Sequence, residues 1–300
     1  MGRRMKRVRL WIGPTVAILA LATGAGRADA QPSGGRHVRA SLVAEADSVE
    51  AGRPLIVGFR LEMEPGWHTY WRNPGDSGLP TRVAWELPDG FSAGELQWPR
   101  PIRFLTGPLV SYGYEHEVLH PVEISVPASI GASEVRLAAR LSWLECREAC
   151  LPGKADLALT LPVRARAGSG PAAPLFAEAR RRMPRVDPEW TLSATAREGV
   201  VDLVVLPPRG TRLSEAYFYP IPRRVVDYSR AQTLAAEEQG YRIALARDPN
   251  GVAAVERLAG VLVARTGAGE KAVEVDVPVK SKTSARAAGD PTEGTEEGKP

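Results

Sequence analysis

The chain has 300 residues, 44% of them hydrophobic and 25% charged, and a formal net charge of +4 at pH 7. Residues 1–30 hold six of the 39 basic groups and one of the 35 acidic ones, so the remainder carries 33 against 34, a net −1. The net positive charge thus belongs to the first thirty residues, and a nucleic-acid role loses its main support, since such binding needs a basic face to displace counterions.

The first ten residues, MGRRMKRVRL, place Arg3, Arg4, Lys6, Arg7 and Arg9 ahead of an apolar run from Leu10 to Gly26. That run ends in GRADA-Q, where Ala28 and Ala30 are the small residues that a signal peptidase reads. A basic head, a short apolar middle and this ending predict a secretory signal peptide over residues 1–30, cleaved after Ala30. An uncleaved anchor is the alternative, but Gly13, Pro14 and Gly24 break a run already short for a membrane span. The remainder is expected in the periplasm, an oxidising compartment where disulfides persist.

About 270 residues then remain, more than one usual domain. Between 38 and 163, PLIVGFRLEM, TRVAWELP, HPVEISVP, EVRLAARLSWL and ADLALTLPV are short runs rich in Val, Ile, Leu and Trp. Several alternate, and turn residues separate them, which predicts an antiparallel β-sandwich of immunoglobulin type. Within this stretch NPGDSGLP, residues 73–80, contains Gly-Asp-Ser-Gly, the string around the nucleophile of trypsin-like proteases. Upstream of that string the exported chain offers only His37, His68 and Asp47, with too little sequence for the barrel on which that triad is mounted. The string reads as a Pro-Gly turn.

The only two cysteines, Cys146 and Cys150, sit in LECREACLPG. A bridge between them closes a five-residue loop, which the chain-entropy model values at roughly 2 kcal/mol. On a helix the two would share a face without being able to bridge undistorted, and Leu151-Pro152 disfavours helix, so a turn between strands is expected. Spacing leaves a redox-active pair and an inert staple both open. A soft-metal site with His116 or His120 is a third reading that nothing in the spacing requires. Arg147 would lower a thiol pKa, whereas Glu145 and Glu148 would raise one. No Gly-rich phosphate loop is present, and neither metal nor other cofactor is expected.

RARAGSGPAAP, residues 164–174, reads as a linker, and LFAEARRRM after it as a helix on which Leu175, Phe176 and Ala179 share a face. Residues 175–280 repeat the β texture in EWTLSATA, VVDLVVLP, YRIALAR, LAGVLVART and AVEVDVPV, giving a second β-sandwich. Residues 281–300 lack apolar periodicity and read as a disordered tail. The expected fold is all-β, two immunoglobulin-like antiparallel sandwiches after a signal peptide.

PGWHTYWRNPGDSGLPTRVAWELPDGF, LQWPRPIRF, GPLVSYGYEHEVLHPVEISVP and WLECREACLPGKADLALTLPV together resemble the N-terminal periplasmic domain of DsbD-like thiol:disulfide interchange proteins. The nearest branch is ScsB, the suppressor-of-copper-sensitivity type, and LSEAYFYPIP, GYRIALAR and ERLAGVLV resemble its second extracytoplasmic domain. The resemblance implies that Cys146 and Cys150 relay electrons from a membrane electron donor, here a separate protein, to a periplasmic thioredoxin-fold or other disulfide-bearing partner. It implies no nucleotide and no nucleic acid. It also implies a mobile aromatic cap over the pair, which falls on GPLVSYGYEHE, with Tyr112 and Tyr114 flanking Gly113. The competing class is a secreted, non-catalytic adaptor with a structural bridge.

Overall fold

A computed structural model of the chain describes residues 33–281 apart from Ala253, together with Gly2. The rest of the expected signal peptide and residues 282–300 of the expected tail lie outside the described residues. Among the described residues the protein is all-β with one short helix. The first half contributes β1 (Ser33–Gly34), β2 (Val38–Ala44), β3 (Leu55–Met63), β4 (His68–Gly75), β5 (Arg82–Glu86), β6 (Ser92–Ala93), β7 (Ile102–Thr106), β8 (Leu109–Glu115), β9 (Glu117–Ser125), β10 (Glu134–Cys146) and β11 (Cys150–Pro162). After α1 (Ala173–Arg182) come β12 (Thr191–Arg197), β13 (Val200–Leu206), β14 (Leu213–Pro220), β15 (Thr233–Ala236), β16 (Tyr241–Ala246), β17 (Arg257–Thr266) and β18 (Gly269–Ser281).

Two sheets make the first sandwich, one ordered β1-β2-β3-β9-β6 and the other β11-β10-β4-β8-β7, with β5 also pairing to β10. Alternation in the sequence becomes alternation of burial, because successive side chains of a strand point to opposite faces. β2 buries Val38, Ala40, Leu42 and Ala44, and β10 buries Val135, Leu137, Ala139, Leu141 and Trp143 in the same apolar cluster. β4 departs from this pattern: of its eight residues only Arg72 is exposed. Both faces of that strand are covered.

The second half forms one path of seven strands, β14-β17-β18-β12-β13-β16-β15. β18 pairs antiparallel with β17 from Gly269 to Pro278, then parallel with β12 from Val279 to Ser281. That change of partner along a single strand joins the two parts of the layer. The apolar residues of both halves form one continuous cluster. They meet where Trp71 and Tyr112 set their rings edge-on to Tyr219, with centroids 6.2 and 5.1 Å apart.

Residues 164–174, expected as a linker, are strapped to the first sandwich. Gly168 O accepts from Asp47 N at 3.0 Å, and Gly170 N donates to Glu45 O at 2.7 Å. The helix then starts with a proline in its first turn and ends on Arg180, Arg181 and Arg182, whose charge suits the carbonyl end of its dipole. It buries Phe176 and Ala179 against Leu119 of β9. A Cβ on Gly58 of β3 would lie 3.1 Å from the Phe176 ring, so the glycine opens the slot that the ring fills. The helix thus packs on the first sandwich, and the chain joins the second sheet at Arg185, whose carbonyl accepts from Glu274 N at 2.9 Å.

His120 on β9 is fully buried between Trp98 and Tyr114, with Nδ1 donating to Gln97 O at 3.1 Å. Burial holds its pKa down to about 4, against roughly 6.5 in an unfolded chain. Between those values the unfolded state binds the extra proton. Stability is therefore full above about pH 6.5 and falls towards pH 4, by of the order of 3 kcal/mol at most. Denaturant melts at pH 7 and 4.5 should show this loss, and His120→Phe should shrink the difference between them.

Candidate functional site

The site grows from one hairpin. β10 and β11 pair antiparallel without a break from Glu134↔Pro162 to Cys146↔Cys150, and Arg147, Glu148 and Ala149 connect them. The two cysteines are thus cross-strand partners with Cα atoms 4.2 Å apart, bridged by a disulfide. The turn between strands expected from Leu151-Pro152 is present, and the ladder brings the sulfurs together before any bond is made. Trp143 crosses the hairpin at Gly153, where a Cβ would lie 2.3 Å from the indole, so only glycine fits there.

The two sulfurs differ in access. Cys146 is 2% exposed, whereas Cys150 is open to solvent. β10 is an inner strand, and Cys146 also pairs with His68 of β4, while β11 is the edge of its sheet.

Around the pair, residues of even number on β4 do the work. The Tyr70 hydroxyl lies 3.4 Å from Cys150 Sγ. His68 sets its ring edge-on to Tyr70 at 5.3 Å and stacks on Phe104 of β7 at 4.5 Å. Burial pushes the His68 pKa down and the Tyr70 phenol up, so both are neutral near pH 7. The glycines of the Gly-Asp-Ser-Gly string have positive φ, 83° at Gly75 and 101° at Gly78. A Cβ on Gly78 would strike the Tyr70 ring at 2.3 Å. Asp76 exchanges two hydrogen bonds with Val110, each 2.8 Å, and Ser77 Oγ meets Ser111 Oγ at 3.2 Å. The string is a turn that closes over Tyr70 and pins the start of β8.

Tyr112 and Tyr114, expected as the cap, are spent elsewhere. Both are buried. Tyr112 meets Tyr217, Tyr219 and Tyr228 of the second half, and Tyr114 donates to Pro99 O at 2.8 Å. The reason is parity: Arg103 pairs with Tyr112 across the β7–β8 hairpin and Phe104 with Ser111, so Phe104 points to the opposite face. The aromatic side chains beside the cysteines are Tyr70 and, through His68, Phe104. Sequence reading missed all three, although HTY in GWHTYW carries the alternation that puts His68 and Tyr70 on one face.

Glu145 is not a loose charge beside a thiol. It is fully buried, and its carboxylate accepts from Arg36 N at 2.8 Å, His37 N at 3.2 Å and Trp143 Nε1 at 3.3 Å. The carboxylate ties the backbone at Arg36 and His37 to the turn end of the cysteine hairpin, and His37 in turn stacks on Trp67 at 3.7 Å. No group of three or more His, Cys, Asp or Glu that could hold a metal ion occurs among the described residues. Nor, among them, is any helix long and apolar enough to cross a membrane.

Residues 39–162 match the family model described as thiol:disulfide interchange protein DsbD, N-terminal. Among solved structures, the N-terminal periplasmic domain of ScsB from Proteus mirabilis aligns with a TM-score of 0.60 at 18% identity, covering 81% of this chain and 94% of that one. That likeness extends the common fold through the second half. A protein of unknown function from Porphyromonas gingivalis W83 reaches a TM-score of only 0.25 at 10% identity, over 80% of this chain and 99% of its own, and carries no argument. None of the curated proteins matches the chain. A hairpin that ends on bridged, unequally exposed cysteines therefore lies inside residues 39–162, the segment that matches the DsbD N-terminal family model.

Proposed function

We propose that the protein is a periplasmic protein-disulfide reductase module. It passes two electrons from a separate membrane electron donor, through Cys146 and Cys150, to the disulfide of a thioredoxin-fold or other periplasmic partner. The observation that carries this reading is the inequality of the two sulfurs within a DsbD-type domain: one solvent-open, one buried behind it. In the reduced state the Cys150 thiolate attacks one sulfur of the partner's disulfide. A mixed disulfide forms and the partner's other sulfur leaves as a thiolate. Cys146, deprotonated in turn, attacks Cys150 Sγ. The intramolecular bond closes and the partner departs with both sulfurs reduced; its thiolates take up protons as the two cysteines lose theirs. The Tyr70 hydroxyl, 3.4 Å from Cys150 Sγ and neutral near pH 7, can donate to that sulfur and favours its thiolate.

The Cys146–Cys150 couple should open under a mild dithiol in the native protein, with a potential above roughly −300 mV, the level below which structural disulfides lie. Replacing both cysteines by alanine should cost about 2 kcal/mol or less in denaturant melts, because the β10–β11 ladder already holds their partners together. A potential well below that level, with a large stability loss, would instead make the protein an adaptor with a staple.

Tyr70→Phe should raise the Cys150 thiol pKa and slow attack on a model disulfide at pH 7 about five-fold, the weight of roughly 1 kcal/mol of hydrogen bonding. The pH profile of alkylation should shift to higher pH by the same factor. Finally, N-terminal sequencing of protein recovered from the periplasm should return Gln31; Met1 in the membrane fraction would refute export as a free protein.

A further inference from the structure

We propose that the second domain is a positioning element for the cysteine pair: Tyr217, seated on Arg103 and Tyr112, holds the β7–β8 hairpin so that Phe104 on its other face stays against His68 beside Cys146. The proposal rests on the exchange reading only for the use it gives such a shield.

The hairpin is a partition with two faces. Arg103 and Tyr112 are cross-strand partners on one face, and Phe104 and Ser111 are partners on the other. On the first face the Arg103 guanidinium lies over the Tyr217 ring, 5.3 Å from its centroid, and the Tyr112 and Tyr217 hydroxyls are 3.0 Å apart. On the second face Phe104 stacks on His68, the backbone partner of Cys146.

β7 is the edge of its sheet, paired only with β8. An edge strand ending at a glycine turn, Gly107 with φ 59°, has little else of its own sheet to hold it. Its tip is bare, with Leu105 65% and Leu109 42% exposed. β8 is held by β4 and by Asp76, and on the Arg103–Tyr112 face the hairpin's base is held by the second domain. β4 repeats the arrangement one strand further in: Asn73 donates to Pro220 O at 2.8 Å and to the Tyr228 hydroxyl at 3.2 Å, while Tyr70 and His68 turn towards the cysteines.

The test uses the full chain, reduced with trialkylphosphine that is removed without air before alkylation, so that the thiols are free whatever the potential of the couple. Alkylation is followed with a bulky maleimide and with iodoacetamide, and thermal melts are run alongside. Tyr217→Ala should raise the bulky-reagent rate of the order of five-fold, with the iodoacetamide rate changing much less. Arg103→Ala should move the ratio the same way by a smaller factor, Arg103→Lys should stay near wild type, and Tyr217→Phe should fall between. Arg103 is exposed, so its variants carry the test if Tyr217→Ala does not fold. A bulky-to-small ratio unchanged in Arg103→Ala, and in Tyr217→Ala where it folds, would overturn the proposal. A ratio that responds while the wild-type couple resists mild dithiols would leave the clamp standing and defeat the exchange reading alone.

Discussion

The thirteen-residue register between β10 and β11 is the constraint on which the cysteine pair depends. It opposes Cys146 to Cys150 and sets their Cα atoms 4.2 Å apart, close enough for the two to be bridged. Four alternate residues of β11, Ala155, Leu157, Leu159 and Leu161, are buried together with five of β10. Full burial of each larger side chain is worth about 1.5–3 kcal/mol. Against that, closing a five-residue loop adds roughly 2 kcal/mol. By that comparison the ladder and its apolar face contribute more to the fold than the bridge does.

The same period of two decides what surrounds the sulfurs. A strand covered on one face buries every second residue; β4 buries nearly all, because the cysteine hairpin lies on one side and the second half on the other. Such a strand has nowhere to leave a polar group in water, and an unpaired buried donor or acceptor costs about 1–3 kcal/mol. Asn73 meets that demand with Pro220 O, the Tyr228 hydroxyl and the Gly75 amide. Glu145, at the end of β10, meets it with two backbone amides and an indole. Both side chains join distant segments, so each polar group fixes a junction that apolar packing alone would leave free to slide.

Much of this was legible in the sequence, and what was not has a common cause. Alternation in PLIVGFRLEM, EVRLAARLSWL and ADLALTLPV marked β3, β10 and β11, and Leu175, Phe176 and Ala179 marked the face of α1. The cysteine pair was visible from its isolation in the chain. Tyr112 and Tyr114 were set over it because YGY is aromatic and flexible, yet the face a strand residue takes depends on the register with β4 and β7, which no local pattern contains. Asn73 sat inside a string that reads as a turn, and its partners lie about 150 residues away. Glu145 read as a flanking charge for the same reason, since its donors are 108 and 109 residues upstream. Local period shows that a residue alternates; long-range pairing decides what it alternates between.

That distinction also accounts for the inequality of the two cysteines, on which the proposed exchange turns. LECREACLPG sets Cys146 between Glu145 and Arg147 and Cys150 between Ala149 and Leu151, which does not say which sulfur is the exposed one. The sheet order does separate them. β10 lies inside its sheet, between β11 and β4, and its last residue is closed in by His68. β11 is the outer strand, and its first residue faces water. In the proposed exchange a partner's disulfide would meet the outer sulfur, and the inner sulfur, 2% exposed, would meet its neighbour. An attacking thiol must be accessible and a resolving thiol must be near and otherwise shielded, so placing one cysteine on an edge strand and its cross-strand partner on an inner strand supplies both conditions from topology alone.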